Sequence, residues 1–327
     1  MDAVRPKLRN SRWDREPIFD VDGKPIVARI TDRDIEIFRL LARYRYLPLN
    51  DIHAFVGGSL KNVTHRLGLL SRKPNLYLNR PHQQRQNADS NHRSLIYELD
   101  DKAINILREL GVPHLAKVNH RNFAHELMAC RIMASFELGT RENANIRLIT
   151  WQEILASDKT PLATKKKSNP ASIPVSLLIR DKTYTKAVVA DGQPFGLRRT
   201  NGDGTSGYFF FPGVEADCGT EPIETADYDR SSIHGKFSAY RAIEAQELYK
   251  SHFGFPNCFV PFITGSPARM DSMMRMLEKL TDGRGSKMFL FKTFPTLTSF
   301  EKQAPSSGHM LTTPWQRVGF PPLDFTK

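Results

Sequence analysis

The chain has 327 residues and a formal net charge of +12. This length is large for one hydrophobic core and favours two domains, while the basic excess favours a polyanionic partner, most simply nucleic acid, with an anionic membrane surface as the alternative. The N-terminus is charged and the apolar runs are only a few residues long, so we expect neither a signal peptide nor a membrane span.

Three cysteines, Cys130, Cys218 and Cys258, are far apart in the chain, with no CxxC pair and no cluster of histidines beside them. A structural zinc site needs such ligands at close spacing. We therefore predict reduced cysteines in a cytoplasmic protein.

The N-terminal part predicts a polar arm and three helices. Residues 1–30 mix basic, acidic and proline residues without helical or strand periodicity, which predicts a flexible arm, with ordinary fraying favoured over contact with DNA. Helices begin after Thr31, near Asn50 and after Ser59. The third helix has an apolar stripe of Leu60, Val63, Leu67 and Leu70.

The third helix is a candidate recognition helix. Polar residues lie away from its apolar stripe, namely Lys61, Asn62, His65 and Arg72. Two predicted strands follow, within residues 75–80 and 94–101, and a very polar loop joins them. Three short helices and a hairpin are typical of a winged helix-turn-helix, so residues 31–112 are predicted to be a DNA-binding domain.

Basic residues dominate this segment, because Asp89 is the single acid between residues 59 and 93. We expect contacts to DNA phosphates or base edges from Lys61, Asn62, His65, Arg72, Lys73, Arg80 and Arg85. The alternatives are a small helical domain with a solvated basic face and a winged helix that binds protein.

The second part of the chain predicts a mixed-sheet α/β domain. Between residues 120 and 300 a long helix precedes several strands, and helices then alternate with strands. His125 lies on the first of these helices, where a structural or surface role is favoured over a catalytic one. Residues 301–327 are rich in Pro, Gly and Ser and are predicted to be a tail, in which residues 314–325 pack back as a loop.

Acidic residues cluster around the aromatic run at residues 208–211, which predicts a buried strand. Glu215 and Asp217 follow two residues apart, so both lie on one face if the strand continues. Asp191 ends the preceding apolar segment, and Lys236 lies near the start of the next helix. Carboxylates placed side by side are costly unless they are solvated, paired or holding a cation. The acids therefore predict a Mg²⁺ site, with Lys236 positioned to stabilise charge or orient water.

Short motifs in these segments resemble a known superfamily. The matching stretches are residues 190–197 (ADGQPFGL), 214–223 (VEADCGTEPI), 236–240 (KFSAY) and 262–269 (FITGSPAR). They resemble the PD-(D/E)XK, or restriction-endonuclease-like, superfamily. Together with the winged helix, the chain more closely resembles the replication-relaxation family of bacterial plasmids and other mobile elements, over roughly residues 31–295.

This resemblance implies catalytic roles for Asp191, Glu215, Asp217 and Lys236, double-stranded DNA as partner, and replication or transfer proteins as further partners. The chain departs from the superfamily pattern in having Ala190 instead of proline, and Asp217 at the usual lysine position. Lys236 can replace that lysine, as in members whose lysine has moved to the neighbouring helix. The oligomeric state stays open, a dimer included.

Two functions follow from these predictions. The favoured one is a DNA-binding accessory or regulatory protein of a mobile element, acting in replication, relaxation or transfer, whose nuclease-like domain is structural or weakly active. The alternative is a Mg²⁺-dependent DNA endonuclease that the winged helix directs to its target.

Overall fold

The computed structural model describes residues 13–85, 94–112, 123–179, 182–225, 231–294 and 307–327. These residues form two compact units, the first from residues 13–112 and the second from residues 123–294 and 307–327. Both units combine helices and strands, which confirms the predicted α/β class. The start of the predicted arm, the tip of the predicted wing with His92, and the start of the predicted tail lie outside the described residues.

Three helices open the first unit: α1 (Asp32–Tyr44), α2 (Leu49–Val56) and α3 (Leu60–Leu70). Thr31 and Asp34 form a capping box at the start of α1, as its sequence predicts. We expected Asn50 to cap α2, but the helix begins at Leu49 and Pro48 is at its N-cap position. Gly57, with a φ of 66°, ends α2 and turns the chain towards α3.

A small antiparallel sheet completes the first unit together with α4 (Asp101–Glu109). Its strands are β1 (Leu47–Pro48), β2 (Leu78–Asn79) and β3 (Ile96–Leu99), in the order β1-β3-β2. Fully buried side chains, including Phe38, Leu67 and Leu107, fill the space between the helices and the sheet. The apolar stripe of α3 is thus what holds it in the unit.

The described part of the predicted arm, residues 13–30, is bound to the first unit. Arg15 donates to Asp100 at 2.9 Å. The Asn75 side chain donates to Ile26 O and accepts from Ala28 N, at 3.0 and 2.8 Å. Side-chain hydrogen bonds hold this segment in place of helical or strand pairing, which explains why its sequence shows no periodicity. Residues 13–30 therefore do not form a flexible arm.

The second unit has two halves. The first half contains α5 (Phe123–Arg141), β4 (Ile146–Ile149), α6 (Trp151–Ala156), α7 (Leu162–Lys165), β5 (Ile173–Ile179), β6 (Lys182–Val188), β7 (Phe195–Thr200), β8 (Ser206–Phe211) and β9 (Glu215–Asp217). The second half contains α8 (Ile233–Ala245), α9 (Leu248–Phe253), β10 (Val260–Thr264), α10 (Pro267–Leu280), β11 (Phe289–Thr293) and α11 (His309–Thr312).

The strands of the second unit form a parallel sheet, β11-β10-β9, an antiparallel sheet, β4-β7-β8, and the hairpin β5-β6. The predicted continuous strand from Tyr208 to Asp217 is broken at Gly213, which has a φ of 143°. A Cβ at this position would lie 2.6 Å from Ala190 Cβ, so only glycine fits. This break carries the two acids out of the aromatic strand and into the parallel sheet.

The C-terminal residues belong to the second unit and do not form a separate tail. Trp315 is fully buried and stacks on Phe136 of α5 with ring centroids 5.7 Å apart. Lys292 Nζ donates to Thr313 O at 2.7 Å. These contacts confirm that residues 314–325 pack back, and they correct the predicted domain end at residue 300.

None of the helices in the described ranges is long and apolar enough to cross a bilayer. Cys130, Cys218 and Cys258, all within the described ranges, are not joined by a disulfide. Burial raises the pKa of the Cys218 thiol to about 11, which keeps it protonated at neutral pH.

Candidate functional site

Glu215 and Asp217 lie on β9, paired with Phe262 and Thr264 of β10 in parallel register. Residues two apart on a strand share a face, so the structure confirms the predicted placement of both carboxylates on one side. Their side chains are buried, with 4% and 6% exposed. Carboxylates this deeply buried need partners that compensate for lost hydration.

Glu215 finds its partners on α8. Tyr240 donates its hydroxyl to Oε1 at 2.5 Å, and Lys236 Nζ contacts Oε2 at 2.9 Å. Lys236 and Tyr240 are one helical turn apart, so they present both groups to the same carboxylate. Burial raises the pKa of Glu215 to about 7, an effect that Lys236 opposes and the charge of Asp191 reinforces.

Lys236 is shared between two acids, because Glu221 Oε2 lies 3.0 Å from the same Nζ. Burial alone would lower the pKa of this lysine, but the charges of Glu215, Asp191 and Glu221 outweigh it and raise the pKa above its usual value. Lys236 is therefore charged at neutral pH, and it joins Glu215 at the start of β9 to Glu221 in the loop that follows this strand.

Asp217 is held by Arg269, which lies in the first turn of α10. The guanidinium donates through Nε and Nη2 to the two carboxylate oxygens, each at 3.0 Å. The same Nη2 also donates to Glu221 O. This two-pronged contact has the geometry that makes arginine a strong carboxylate partner.

Asp191 reaches the same region from the other direction. Its backbone pairs with Val214 in an isolated antiparallel bridge, and its Oδ2 accepts a hydrogen bond from Ala216 N at 2.9 Å. His125 Nε2 of α5 lies 3.0 Å from the same oxygen. The hydrogen bond to Asp191 raises the pKa of His125, while burial opposes the rise. A histidine expected to be structural or on the surface is thus the partner of a predicted site residue.

The structure therefore brings the predicted acids and lysine into one region, and it adds four residues that the sequence did not assign to it. These are His125, Glu221, Tyr240 and Arg269. Glu221, Tyr240 and Arg269 fall inside the short motifs that carried the resemblance, which was an available signal. His125 had none, because α5 is far from the motifs in sequence.

Each carboxylate in this acidic cluster, defined as Asp191, Glu215, Asp217 and Glu221, already has a basic partner in the chain. Both oxygens of Glu215 and of Asp217 accept hydrogen bonds. Among the described residues, no group of three histidine, cysteine or acidic side chains has the arrangement of a metal site. The residue types suit Mg²⁺, but their geometry does not fit it, since the ion would have to compete with Lys236 and Arg269.

A second candidate site lies on α3 of the first unit. Val63, Leu67 and Leu70 are buried, while Lys61, Asn62 and His65 are exposed on the opposite side. Within the described part of the chain, these three polar side chains make no hydrogen bond or ion pair. Leu60 was expected in the apolar stripe, but it is 45% exposed because it lies at the first turn, beyond the core.

The other predicted DNA contacts are placed differently. Arg72 lies beyond the end of α3 and is partly exposed, and exposed Lys73 contacts Glu16 at 3.2 Å. Arg80 is only 5% exposed and donates to Asp14 O at 2.8 Å, so it is not available to a phosphate in this arrangement. Arg85 ends a 3₁₀ turn, and its side chain lies outside the described residues.

An internal ion pair fixes the orientation of α3. Arg66 Nε donates to Asp34 Oδ1 of α1 at 2.9 Å. Burial alone would raise the pKa of Asp34, but hydrogen bonds from Arg66 and Thr31 outweigh it and lower the pKa. One basic residue of the helix is therefore used for packing, and the exposed ones are left for a partner.

Comparison of the chain with protein-family models, with curated proteins and with solved structures found no match. The function is accordingly inferred from the residues of the chain itself.

Proposed function

We propose that this is a DNA-binding accessory or regulatory protein whose recognition helix is α3. The observation that carries this proposal is the exposed row Lys61, Asn62 and His65 on a helix whose other side is buried. Because these side chains make no hydrogen bond or ion pair within the described chain, their donor groups are available to a ligand. Lysine and asparagine donate to phosphate oxygens and to base edges in the major groove.

The order of elements supports the same proposal. Helix, strand, helix, helix and two further strands, with the sheet order β1-β3-β2, is the order of a winged helix. In this interpretation α2 and α3 are the helix-turn-helix and β2 and β3 are the wing. The net charge of +12 favours a polyanion such as duplex DNA as the partner.

The second unit is proposed to be a nuclease-like scaffold whose acidic cluster is structural. Lys236 and Arg269 neutralise the buried acids, and they do so at hydrogen-bonding distance. The assignment to a plasmid or other mobile element, and to replication, relaxation or transfer with its protein partners, is proposed from the sequence resemblance alone.

The recognition helix is tested by DNA binding of the full chain. Lys61→Ala should weaken binding to a mixed-sequence duplex and lower the slope of log affinity against log salt by about 0.9, because one phosphate contact is lost. Arg108→Ala is the matched control, since Arg108 is an exposed basic residue on α4 of the same unit and its side chain donates a hydrogen bond to Asn105. If both variants lose the same DNA affinity, the effect comes from net charge alone, and α3 is not the recognition helix.

A Mg²⁺-dependent endonuclease is the second candidate, and one observation favours it. The charge of Asp191 acts on both Glu215 and Lys236, so two acids and a lysine come together as the resemblance implies. Plasmid DNA incubated with the protein and Mg²⁺ or Mn²⁺ separates the two proposals. We expect no cleavage; metal-dependent cleavage that disappears in Glu215→Gln would establish the nuclease.

A further inference from the structure

A second exposed row of side chains lies on the antiparallel sheet β4-β7-β8 of the second unit. The register places Arg147 opposite Arg198, and Arg198 opposite Tyr208. Directly opposed residues on neighbouring strands stand on the same face of a sheet. All three side chains are exposed, and Tyr208 is 40% exposed. Two guanidinium groups and an aromatic ring therefore form one row across three strands.

The neighbouring row of the same face anchors the sheet. It consists of Ile149, Gly196 and Phe210, which are aligned across the same three strands and buried. Ile149 and Phe210 belong to the hydrophobic core of the unit, and their packing fixes the orientation of the sheet. The neighbouring row therefore stays exposed to solvent. The row is thus a fixed surface presented by regular strands.

Positive charge on this row is only partly balanced. Arg147 pairs with Glu153, whose other oxygen also accepts from Thr150 at the start of α6. Arg198 donates to the neutral Ser206 hydroxyl at 3.2 Å, and none of the described residues offers it a carboxylate. Like charges directly opposite each other destabilise a sheet. An anion bound between the two arginines would relieve that repulsion.

We propose that the row of Arg147, Arg198 and Tyr208 binds single-stranded nucleic acid, with phosphates on the arginines and a base stacked on the tyrosine. Arginine binds phosphate through two parallel hydrogen bonds, and an exposed aromatic ring stacks on any base. Neighbouring residues of the row are about 5 Å apart, so the row extends about 10 Å. An acidic peptide could pair with the two arginines, but its binding would not require the ring of Tyr208.

This site goes beyond the proposed reading of duplex DNA by α3, because it lies on the other unit and recognises a different form of nucleic acid. It is tested with the full chain and a fluorescent oligo(dT), measured by anisotropy. Tyr208→Ala should weaken binding about tenfold, which corresponds to about 1.4 kcal/mol. Tyr208→Phe should keep the wild-type affinity because the stacking surface remains. Arg198→Ala should lower the salt slope by about 0.7.

The chain offers a matched control for each variant. Tyr184 of β6 is 39% exposed, close to the 40% of Tyr208. Arg275 of α10 is exposed and donates to Ser272 Oγ at 3.1 Å, much as Arg198 donates to a serine. Tyr184→Ala and Arg275→Ala should bind oligo(dT) like the wild type, and equal melting temperatures should show that all variants are folded.

Three results would overturn the proposal: wild-type affinity in Tyr208→Ala, equal losses in the variants and their controls, or tighter binding of labelled poly-glutamate than of oligo(dT) that Arg198→Ala abolishes. The last result would assign the row to an acidic protein. Duplex affinity should not change in Tyr208→Ala beyond its change in Tyr184→Ala. The single-strand site and the recognition helix can therefore fail independently of each other.

Discussion

The exposed face of α3 and the acidic cluster use basic side chains in opposite ways. Lys61 is exposed and has no acidic partner among the described residues, whereas Lys236 and Arg269 are 21% and 19% exposed and each contacts a buried carboxylate. The net charge of +12 counts all of them equally. Net charge therefore does not distinguish an exposed lysine without an acidic partner from basic residues that neutralise buried acids.

The same difference sets the energetic cost of removing each residue. An exposed lysine leaves nothing uncompensated when it is lost, whereas a buried partner leaves behind an acid that cannot be hydrated. Substitutions in the acidic cluster should therefore change stability, and substitutions on α3 should change DNA binding.

The largest effect is expected for Arg269→Met, which leaves Asp217 buried without its guanidinium. Removing one partner of a buried ion pair typically costs about 3–5 kcal/mol of unfolding free energy, to be measured by urea denaturation. Arg275→Met on the exposed side of the same helix is the control and should stay within about 0.5 kcal/mol of the wild type. Adding Asp217→Asn to Arg269→Met should recover part of the loss, because the uncompensated charge is removed; a double variant as unstable as the single one would contradict the pairing.

The next effect is a pH dependence that comes from Glu215. Its pKa is about 7 in the folded chain against an ordinary 4.5, so the folded state holds the proton more tightly than the unfolded state does. The stability that this proton contributes is fully present below the ordinary pKa and is lost as pH rises through about 7, with a slope of at most about 1.4 kcal/mol per pH unit. The wild type should therefore lose stability relative to Glu215→Gln between about pH 5 and pH 8. A difference that stays constant with pH would show that Glu215 does not titrate in this range.

A smaller effect on stability is expected for Lys61→Ala, the counterpart of Arg269→Met in the comparison. Its unfolding free energy should stay within about 0.5 kcal/mol of the wild type, because the side chain is exposed. Weaker binding to duplex DNA at unchanged stability would separate the two classes of basic residue. A clearly destabilised Lys61→Ala would instead assign this lysine a structural role.

The sequence predicted the regular elements well where a local signal existed. Thr31 and the apolar spacing located α1, and the polar side of α3 was identified as exposed from its spacing alone. The strand that carries the acids was predicted as a continuation of the aromatic run. In the structure the strand is broken at Gly213, because tertiary packing places this residue against Ala190. No local periodicity records such a contact.

The ion pairs were the least predictable part of the candidate site. Lys236 was identified because it follows the acids closely in sequence. His125 was not, because it lies on α5, 66 residues before Asp191. Arg80 was assigned to phosphate contact from its charge, and the fold instead buries it against the segment that precedes α1. Pairing of this kind depends on the three-dimensional arrangement of distant segments, which residue spacing does not encode.

The last prediction is the smallest effect and bears most directly on the acidic cluster. A divalent ion that binds only the folded chain stabilises it, by about 2.7 kcal/mol when its concentration is a hundred times the dissociation constant. Because Lys236 and Arg269 already neutralise Glu215 and Asp217, millimolar Mg²⁺ or Mn²⁺ should leave the melting temperature of the wild type unchanged. Lys236→Met is the informative variant, since it removes the competing ammonium group and should let the ion bind if the carboxylates are its ligands. The opposite result would be a melting temperature of the wild type that rises with the metal ion, with no rise in Glu215→Gln and with binding confirmed by calorimetry. The ion would then displace Lys236, and the acidic cluster would be a metal centre.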